Sequence, residues 1–178
     1  MNIQLISNFV LFQVSWFACV IGASMAKPWL GITITLLVVA WHITQAPQKE
    51  PEILLTAICL LIGAVFDQAL VSFQLITYMH HGWSDALVPA WILAMWLAFS
   101  TLLNVGLRWM HGRYVVAIIF GAVGGPLAYI GAEKLGAVML YGDSGYIALS
   151  LGWAIITPLL LSIAARYDGF AGQIKESK

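Results

Sequence analysis

Apolar residues form six long segments along the chain, separated by short polar stretches. A helix needs about 20 mostly apolar residues to cross a hydrocarbon core roughly 30 Å thick. The six segments match or approach that length, and they leave few residues for linkers. The pattern therefore predicts an all-α polytopic transmembrane bundle in one domain of residues 1–178, with spans at approximately 5–25, 29–46, 53–78, 88–107, 115–131 and 146–165.

The composition agrees with a membrane protein and excludes other classes. Hydrophobic residues make up 61% of the chain, charged residues 9%, and the formal net charge is zero. Because a soluble domain carries about a quarter charged residues, a soluble enzyme is excluded. Nucleic-acid binding is excluded as well, since no basic excess is present to neutralise phosphates. We expect membrane lipids to be the surroundings and partners of the chain.

Basic residues are distributed unevenly between the two sets of loops. If the N-terminus is inside, six Lys and Arg residues fall on inner segments and two on outer segments. Cytoplasmic loops are enriched in Lys and Arg, so the bias predicts that both termini are cytoplasmic. The inner residues are Lys49, Arg108, Arg113, Arg166, Lys175 and Lys178, and the outer ones are Lys27 and Lys134.

Polar residues recur at helical spacing in three of the predicted spans. Asp67 lies about halfway along the third span, where an ionised carboxylate costs at least about 2.5 kcal/mol and normally faces protein or a water-filled cavity. Three polar stripes facing one another would form a polar seam through the bundle. They consist of Gln4, Asn8, Ser15, Cys19 and Gly22, then Thr56, Gly63, Asp67, Gln74, Tyr78 and His81, and finally Trp96, Ser100, Asn104, Arg108 and His111.

Two interpretations of this seam stay open. Its side chains can simply hydrogen-bond across helices, each bond contributing roughly 0.6 kcal/mol. Alternatively they bind or pass a small polar or lipid-derived ligand, and an acid at position 67 favours this because an asparagine would serve a purely structural role. The candidate ligand-binding residues are Asp67, Gln74, Trp96, Ser100, Asn104, Asn8 and Ser15.

The fifth span contains an unusual run of small residues followed by a proline. Gly121 and Gly125 form a small-xxx-small pair that lets another helix approach closely, and Gly124 adds to the same run. Pro126 lacks an N–H, so we expect the helix to kink or break there. Transporters use such broken helices to hold substrates.

The sequence offers no catalytic residues, metal site or cofactor site. Cys19 and Cys59 lie in different predicted spans without the spacing of a metal or redox motif. His80 and His81 are adjacent and would point to different faces of a helix. We expect no bound cofactor, and an enzyme is the least favoured class.

Several motifs resemble one known family. The chain carries Pro-Ala-Trp at 89–91, Trp-Leu-Ala-Phe-Ser-Thr-Leu at 96–102, Gly-Ala-Val-Gly-Gly-Pro-Leu-Ala-Tyr at 121–129 and Leu-Gly-Ala at 135–137, together with Asn8, Trp16 and Asp67. This pattern resembles the bacterial inner-membrane proteins grouped as domain of unknown function 2878. The resemblance implies a multi-pass protein of the bacterial inner membrane in an envelope-lipid context, and it implies no activity.

Two function classes follow as expectations. The first is a membrane protein that binds or translocates a small polar or lipid-derived ligand through the seam around Asp67. The second is a non-catalytic scaffold or accessory subunit for envelope-lipid metabolism, whose glycine-rich fifth span docks another membrane protein or a second copy of the chain.

Overall fold

The computed structural model describes residues 3–172. Within this range the chain forms six α-helices, two short strands and a turn of 3-10 helix at Arg108–Met110. In chain order the elements are α1 (Ile3–Ser24), α2 (Pro28–Gln45), α3 (Lys49–Ser72), β1 (Ile76–Tyr78), α4 (Ala90–Leu103), α5 (Tyr114–Lys134), β2 (Val138–Leu140) and α6 (Gly142–Arg166).

Five of the six described helices are long and apolar enough to cross a membrane. They are α1, α2, α3, α5 and α6, with lengths of 18 to 25 residues. Their outward faces carry large apolar side chains, such as Leu37 and Leu61, which are 66% and 65% exposed. Exposed apolar surface on this scale marks a membrane or partner contact, and it indicates a multi-pass membrane protein.

Helix α4 occupies the centre of the bundle. Its 14 residues rise about 21 Å, less than the roughly 30 Å of a bilayer core. Ten of these residues are buried, and the helix packs against α1, α2 and α3. A helix that is apolar on all sides is typical of such an enclosed position.

The two strands tie together the ends of α3 and α5. They pair antiparallel, with Ile76 opposite Leu140 and Tyr78 opposite Val138. We call this side of the bundle the sheet end, and the opposite side, where α1 begins and α6 ends, the termini end. At the termini end the backbone N–H of Gln48 donates to the carbonyl of Gly169, 3.1 Å away.

The structure corrects several predicted span boundaries. The third span was expected to continue to Tyr78, but α3 ends at Ser72, and Gln74 has a positive φ of 56° that leaves the helix. The fourth was expected to cover 88–107, whereas α4 covers Ala90–Leu103. The predicted spans 29–46 and 53–78 leave residues 47–52 as a loop between them, but α3 begins at Lys49, because proline is tolerated in a helix's first turn, where Pro51 lies. Of the basic residues used for orientation, Lys175 and Lys178 lie outside the described residues.

The glycine-rich part of α5 packs against α6 of the same chain. A side chain at Gly121 would collide with the backbone of Trp153 and with Thr157, and one at Gly125 would collide with the Trp153 ring. The expectation that this face docks a separate partner is therefore wrong for these two positions. Helix α5 is continuous from Tyr114 to Lys134 with Pro126 inside it, so the helix does not break there, and the expected kink stays a prediction.

We predict that Gly125→Ala destabilises the bundle by about 1–3 kcal/mol, because the added methyl overlaps the Trp153 ring in a packed interface. Thermal unfolding in detergent, followed by circular dichroism, measures the effect. Gly124→Ala is the matched control, since the nearest neighbouring atom is a Phe120 ring carbon at 3.8 Å. Equal unfolding temperatures for the two variants would contradict the assigned α5–α6 contact.

Candidate functional site

The carboxylate of Asp67 receives hydrogen bonds from three aromatic side chains. Asp67 is 0% exposed. Its Oδ1 accepts from the Tyr78 hydroxyl at 2.5 Å and from the Tyr129 hydroxyl at 2.6 Å. Its Oδ2 accepts from the indole Nε1 of Trp96 at 2.5 Å. One side chain of α3 is thereby joined to β1, α4 and α5.

This arrangement explains why the position holds an acid. Both carboxyl oxygens of Asp67 accept here, whereas an asparagine has a single oxygen and would turn an NH₂ group toward at least one of the three donors. Burial of the Tyr78 hydroxyl is the largest cause that raises its pKa well above the ordinary value, and the nearby Asp67 and Tyr129 raise this pKa further. Tyr78 therefore keeps its proton and remains a donor.

Trp96 is held in place on its other sides as well. Its ring lies against Gly63 of α3, where any side chain would collide with it. It stacks on Trp153 with ring centroids 4.9 Å apart and planes inclined by 6°, and Phe99 meets it edge-on. The Cys59 thiol also donates to the Trp96 carbonyl, 3.4 Å away. The indole is thus fixed by hydrogen bonds and packing together.

Trp96 and Tyr129 form part of the wall of a cavity of about 630 Å³. The cavity is bounded by α1, α4, α5 and α6, and most of its lining is apolar. Its aromatic lining consists of Phe9, Phe12, Trp16, Trp91, Trp96, Phe99, Trp109, Phe120, Tyr129 and Trp153. Asp67 itself does not line the cavity, but it is hydrogen-bonded to two side chains that do, Trp96 and Tyr129.

The cavity opens toward the outside of the bundle between α1 and α5. Two lining residues on facing helices, Phe9 of α1 and Leu127 of α5, are 56% and 60% exposed. Helix α1 packs mainly on α2 and α4, while α5 packs mainly on α6. Because neither helix packs mainly on the other, the exposed lining residues place the opening between α1 and α5.

The predicted polar seam is divided into separate hydrogen-bonded groups. Asp67 and Trp96 meet directly, as described above. Ser100 donates to Thr56, 3.2 Å away, and Asn8 donates to the carbonyl of Thr101, 2.9 Å away. Ser15 is buried, and its hydroxyl has no hydrogen-bond partner within residues 3–172.

Gln74 and Asn104 lie apart from Asp67. Gln74 is exposed beyond the end of α3, beside a smaller cavity of about 340 Å³ at the sheet end. Its predicted place on the helical stripe is wrong because the helix stops before it. Asn104 lies at the termini end, where its Nδ2 donates to Glu52 at 2.8 Å and to the Tyr167 carbonyl at 3.0 Å.

Glu52 forms a second buried acidic centre that the sequence did not reveal. It is 0% exposed, and its Oε1 lies 2.9 Å from His42 Nε2. Its Oε2 accepts from Asn104 and from the backbone N–H of Gly169 at 3.2 Å. Arg108 forms an ion pair with Asp168 beside it. These contacts fix the segment after α6 onto the start of α3.

One signal for Glu52 is present in the sequence. Glu52 precedes Thr56, Gly63 and Asp67 at helical spacing, so it continues the buried stripe of α3. The two prolines that precede it, Pro47 and Pro51, hid this register, because they made the segment resemble a turn. In the described part of the chain, no three His, Cys, Asp or Glu side chains are grouped closely enough to hold a metal ion.

Comparison with known proteins agrees with the resemblance noted in the sequence. The family model described as protein of unknown function DUF2878 matches residues 5–159. The chain belongs to this family. No curated protein and no solved structure matches this DUF2878 member. The matched range contains Asp67, its three donors and the whole lining of the larger cavity.

We predict that Asp67→Asn in this DUF2878 protein lowers the free energy of unfolding by about 1–3 kcal/mol, because one buried donor loses its acceptor. Trp96→Phe removes the indole donor. It should therefore lower the free energy of unfolding by less in the Asp67→Asn background than in the wild type. Denaturation of the single and double variants in detergent measures this coupling. Strictly additive effects would show that the bond contributes nothing.

We also predict that Glu52→Gln loosens the segment at residues 167–170. The new amide would face the donors of Asn104 and Gly169, so hydrogen exchange at the Gly169 amide should become faster. Glu50→Gln is the control, because Glu50 is exposed in the same turn of helix. Unchanged exchange in Glu52→Gln would contradict the role given to this acid.

Proposed function

We propose that this DUF2878 protein binds the apolar chain of a lipid-derived molecule in the cavity between α1 and α5. The observation that carries this proposal is a cavity of about 630 Å³ that is open toward the outside of the bundle and has ten aromatic side chains in its mostly apolar lining. Its volume falls within the roughly 300–1,000 Å³ of small-molecule sites. A molecule dissolved in the bilayer can enter it without crossing water.

The lining determines how such a ligand would be recognised. Lipid tails are as apolar as the side chains of the cavity, so the hydrophobic effect does not favour transfer from bilayer to protein. Affinity must then come from shape, from contacts with rigid rings and from hydrogen bonds. The stacked pair Trp96 and Trp153 provides a rigid surface of this kind.

Asp67 has a positioning role in this proposal. It holds Trp96 and Tyr129, and both side chains form part of the cavity wall. Binding is better supported than passage along a polar seam, because the carboxylate is enclosed by three donors and fully buried. Asp67, a candidate ligand-binding residue from the sequence, would therefore support the side chains that contact the ligand without contacting it itself.

We place the protein in the bacterial inner membrane with six crossings and both termini in the cytoplasm. The termini end carries Lys49, Arg108, Arg113 and Arg166, and the sheet end carries Lys27 and Lys134. This asymmetry supports a cytoplasmic termini end. Helix α4 would be the sixth crossing, shorter than the others and shielded from lipid by its neighbours.

The proposal predicts that palmitic acid carrying a photoreactive diazirine on its chain labels the cavity of the detergent-purified protein. Excess unlabelled palmitic acid should compete. Ala128→Trp fills the cavity from α5 and should strongly reduce labelling. Peptide mapping by mass spectrometry locates and quantifies the label.

Val123→Trp is the matched control for this experiment. It places the same bulky ring on α5 at an exposed position outside the cavity lining, so labelling should persist. Equal labelling of both variants, or label spread over the outward faces of α2 and α6, would overturn the proposal.

A further inference from the structure

Building on the proposed lipid binding, we propose further that the ligand carries a neutral hydroxyl or carbonyl group partway along its apolar chain. Gln13 of α1 and Thr157 of α6 would hold this group from opposite walls of the cavity. The preferred ligand class is then an oxygenated acyl chain rather than a plain hydrocarbon chain.

Thr157 supplies the first observation. It is 1% exposed and lines the cavity, and its Oγ1 has no hydrogen-bond partner among the described residues. Helical threonines commonly satisfy their hydroxyl on a carbonyl one turn earlier. The hydroxyl lies instead against Gly121 of α5, where a side chain would collide with it. A buried hydroxyl without a partner is destabilising, and a ligand oxygen would relieve this.

Gln13 supplies the second observation. It lies near the middle of the 22-residue helix α1, is half-buried and lines the same cavity. A polar amide at this depth is costly unless it has a partner inside the bundle. Its amide group can both donate and accept hydrogen bonds, as can the threonine hydroxyl, so the pair suits a hydroxyl or a carbonyl equally.

The two side chains lie at about the same depth. Gln13 is ten residues from the start of α1, and Thr157 is nine residues from the end of α6, with both of those helix ends at the termini end. At a rise of about 1.5 Å per residue, each lies roughly 14–15 Å into the bundle. Equal depth is what a single oxygen-bearing group held between the two walls requires.

The charge of the cavity restricts the ligand group further. None of the described residues that line it is Asp, Glu, Lys, Arg or His. A charged group placed there would have no counter-charge and would lose its hydration at high cost. The polar group held at this level is therefore neutral, and any charged end of the ligand lies outside the cavity.

Competition against the photoreactive palmitic acid tests this inference. The two competitors are stearic acid and stearic acid carrying a hydroxyl group at the middle of its chain. On the wild-type protein the hydroxylated acid should compete at about fivefold lower concentration, as expected for one net hydrogen bond. Gln13→Leu and Thr157→Val should each reduce this preference, measured within each variant as the ratio of the two competing concentrations.

Two further variants separate a polar contact from a folding defect. Thr157→Ser retains the hydroxyl and should retain the preference. Thr33→Val, the same change on an exposed residue of α2, should leave the preference intact.

Equal competition by the two acids on the wild-type protein would overturn this inference and leave the proposed lipid binding standing. A preference that survives in Thr157→Val and Gln13→Leu would overturn it as well. Failure of the cavity to be labelled at all would overturn the proposed function, and this inference with it.

Discussion

The fold depends on one buried carboxylate that collects three hydrogen-bond donors from three elements. Asp67 joins α3 to β1, α4 and α5 through Tyr78, Trp96 and Tyr129. In a bilayer, apolar side chains gain little by leaving lipid for protein, so such polar contacts and close packing must select the helix arrangement. Two of the three donors, Trp96 and Tyr129, also form part of the cavity wall. The hydrogen bonds of Asp67 therefore fix both the helix arrangement and the shape of the cavity.

Helix α3 is anchored near both of its ends by acids. Glu52 and Asp67 lie 15 residues apart on one face, a rise of about 22 Å. Between them, Thr56 bonds to Ser100 and Cys59 bonds to the Trp96 carbonyl, so the α3–α4 contact is polar along its length. This pairing accounts for a central helix that is short and enclosed, because α4 is held by side-chain bonds as well as by its apolar surface.

The sequence predicted the helical class and the inward position of Asp67, because hydropathy and the cost of a charge in lipid are local properties. One of the polar stripes that it identified contains Trp96, which contacts the acid in the structure. It could not predict the donors Tyr78 and Tyr129, which lie 11 and 62 residues away and meet Asp67 only in the folded chain. Glu52 was missed because Pro47 and Pro51, which precede it, suggested a turn. The cavity has no sequence signature, since the same aromatic residues would serve equally well facing lipid.

The gap between α1 and α5 leaves the cavity without a complete protein wall. Helix α1 packs mainly on α2 and α4, whereas α5 packs mainly on α6, so neither helix closes the cavity against the other. The lining residues Phe9 and Leu127 are exposed along this gap. In a bilayer the acyl chains of neighbouring lipids would therefore complete the wall, and the surface that a bound molecule meets on that side would be lipid rather than protein.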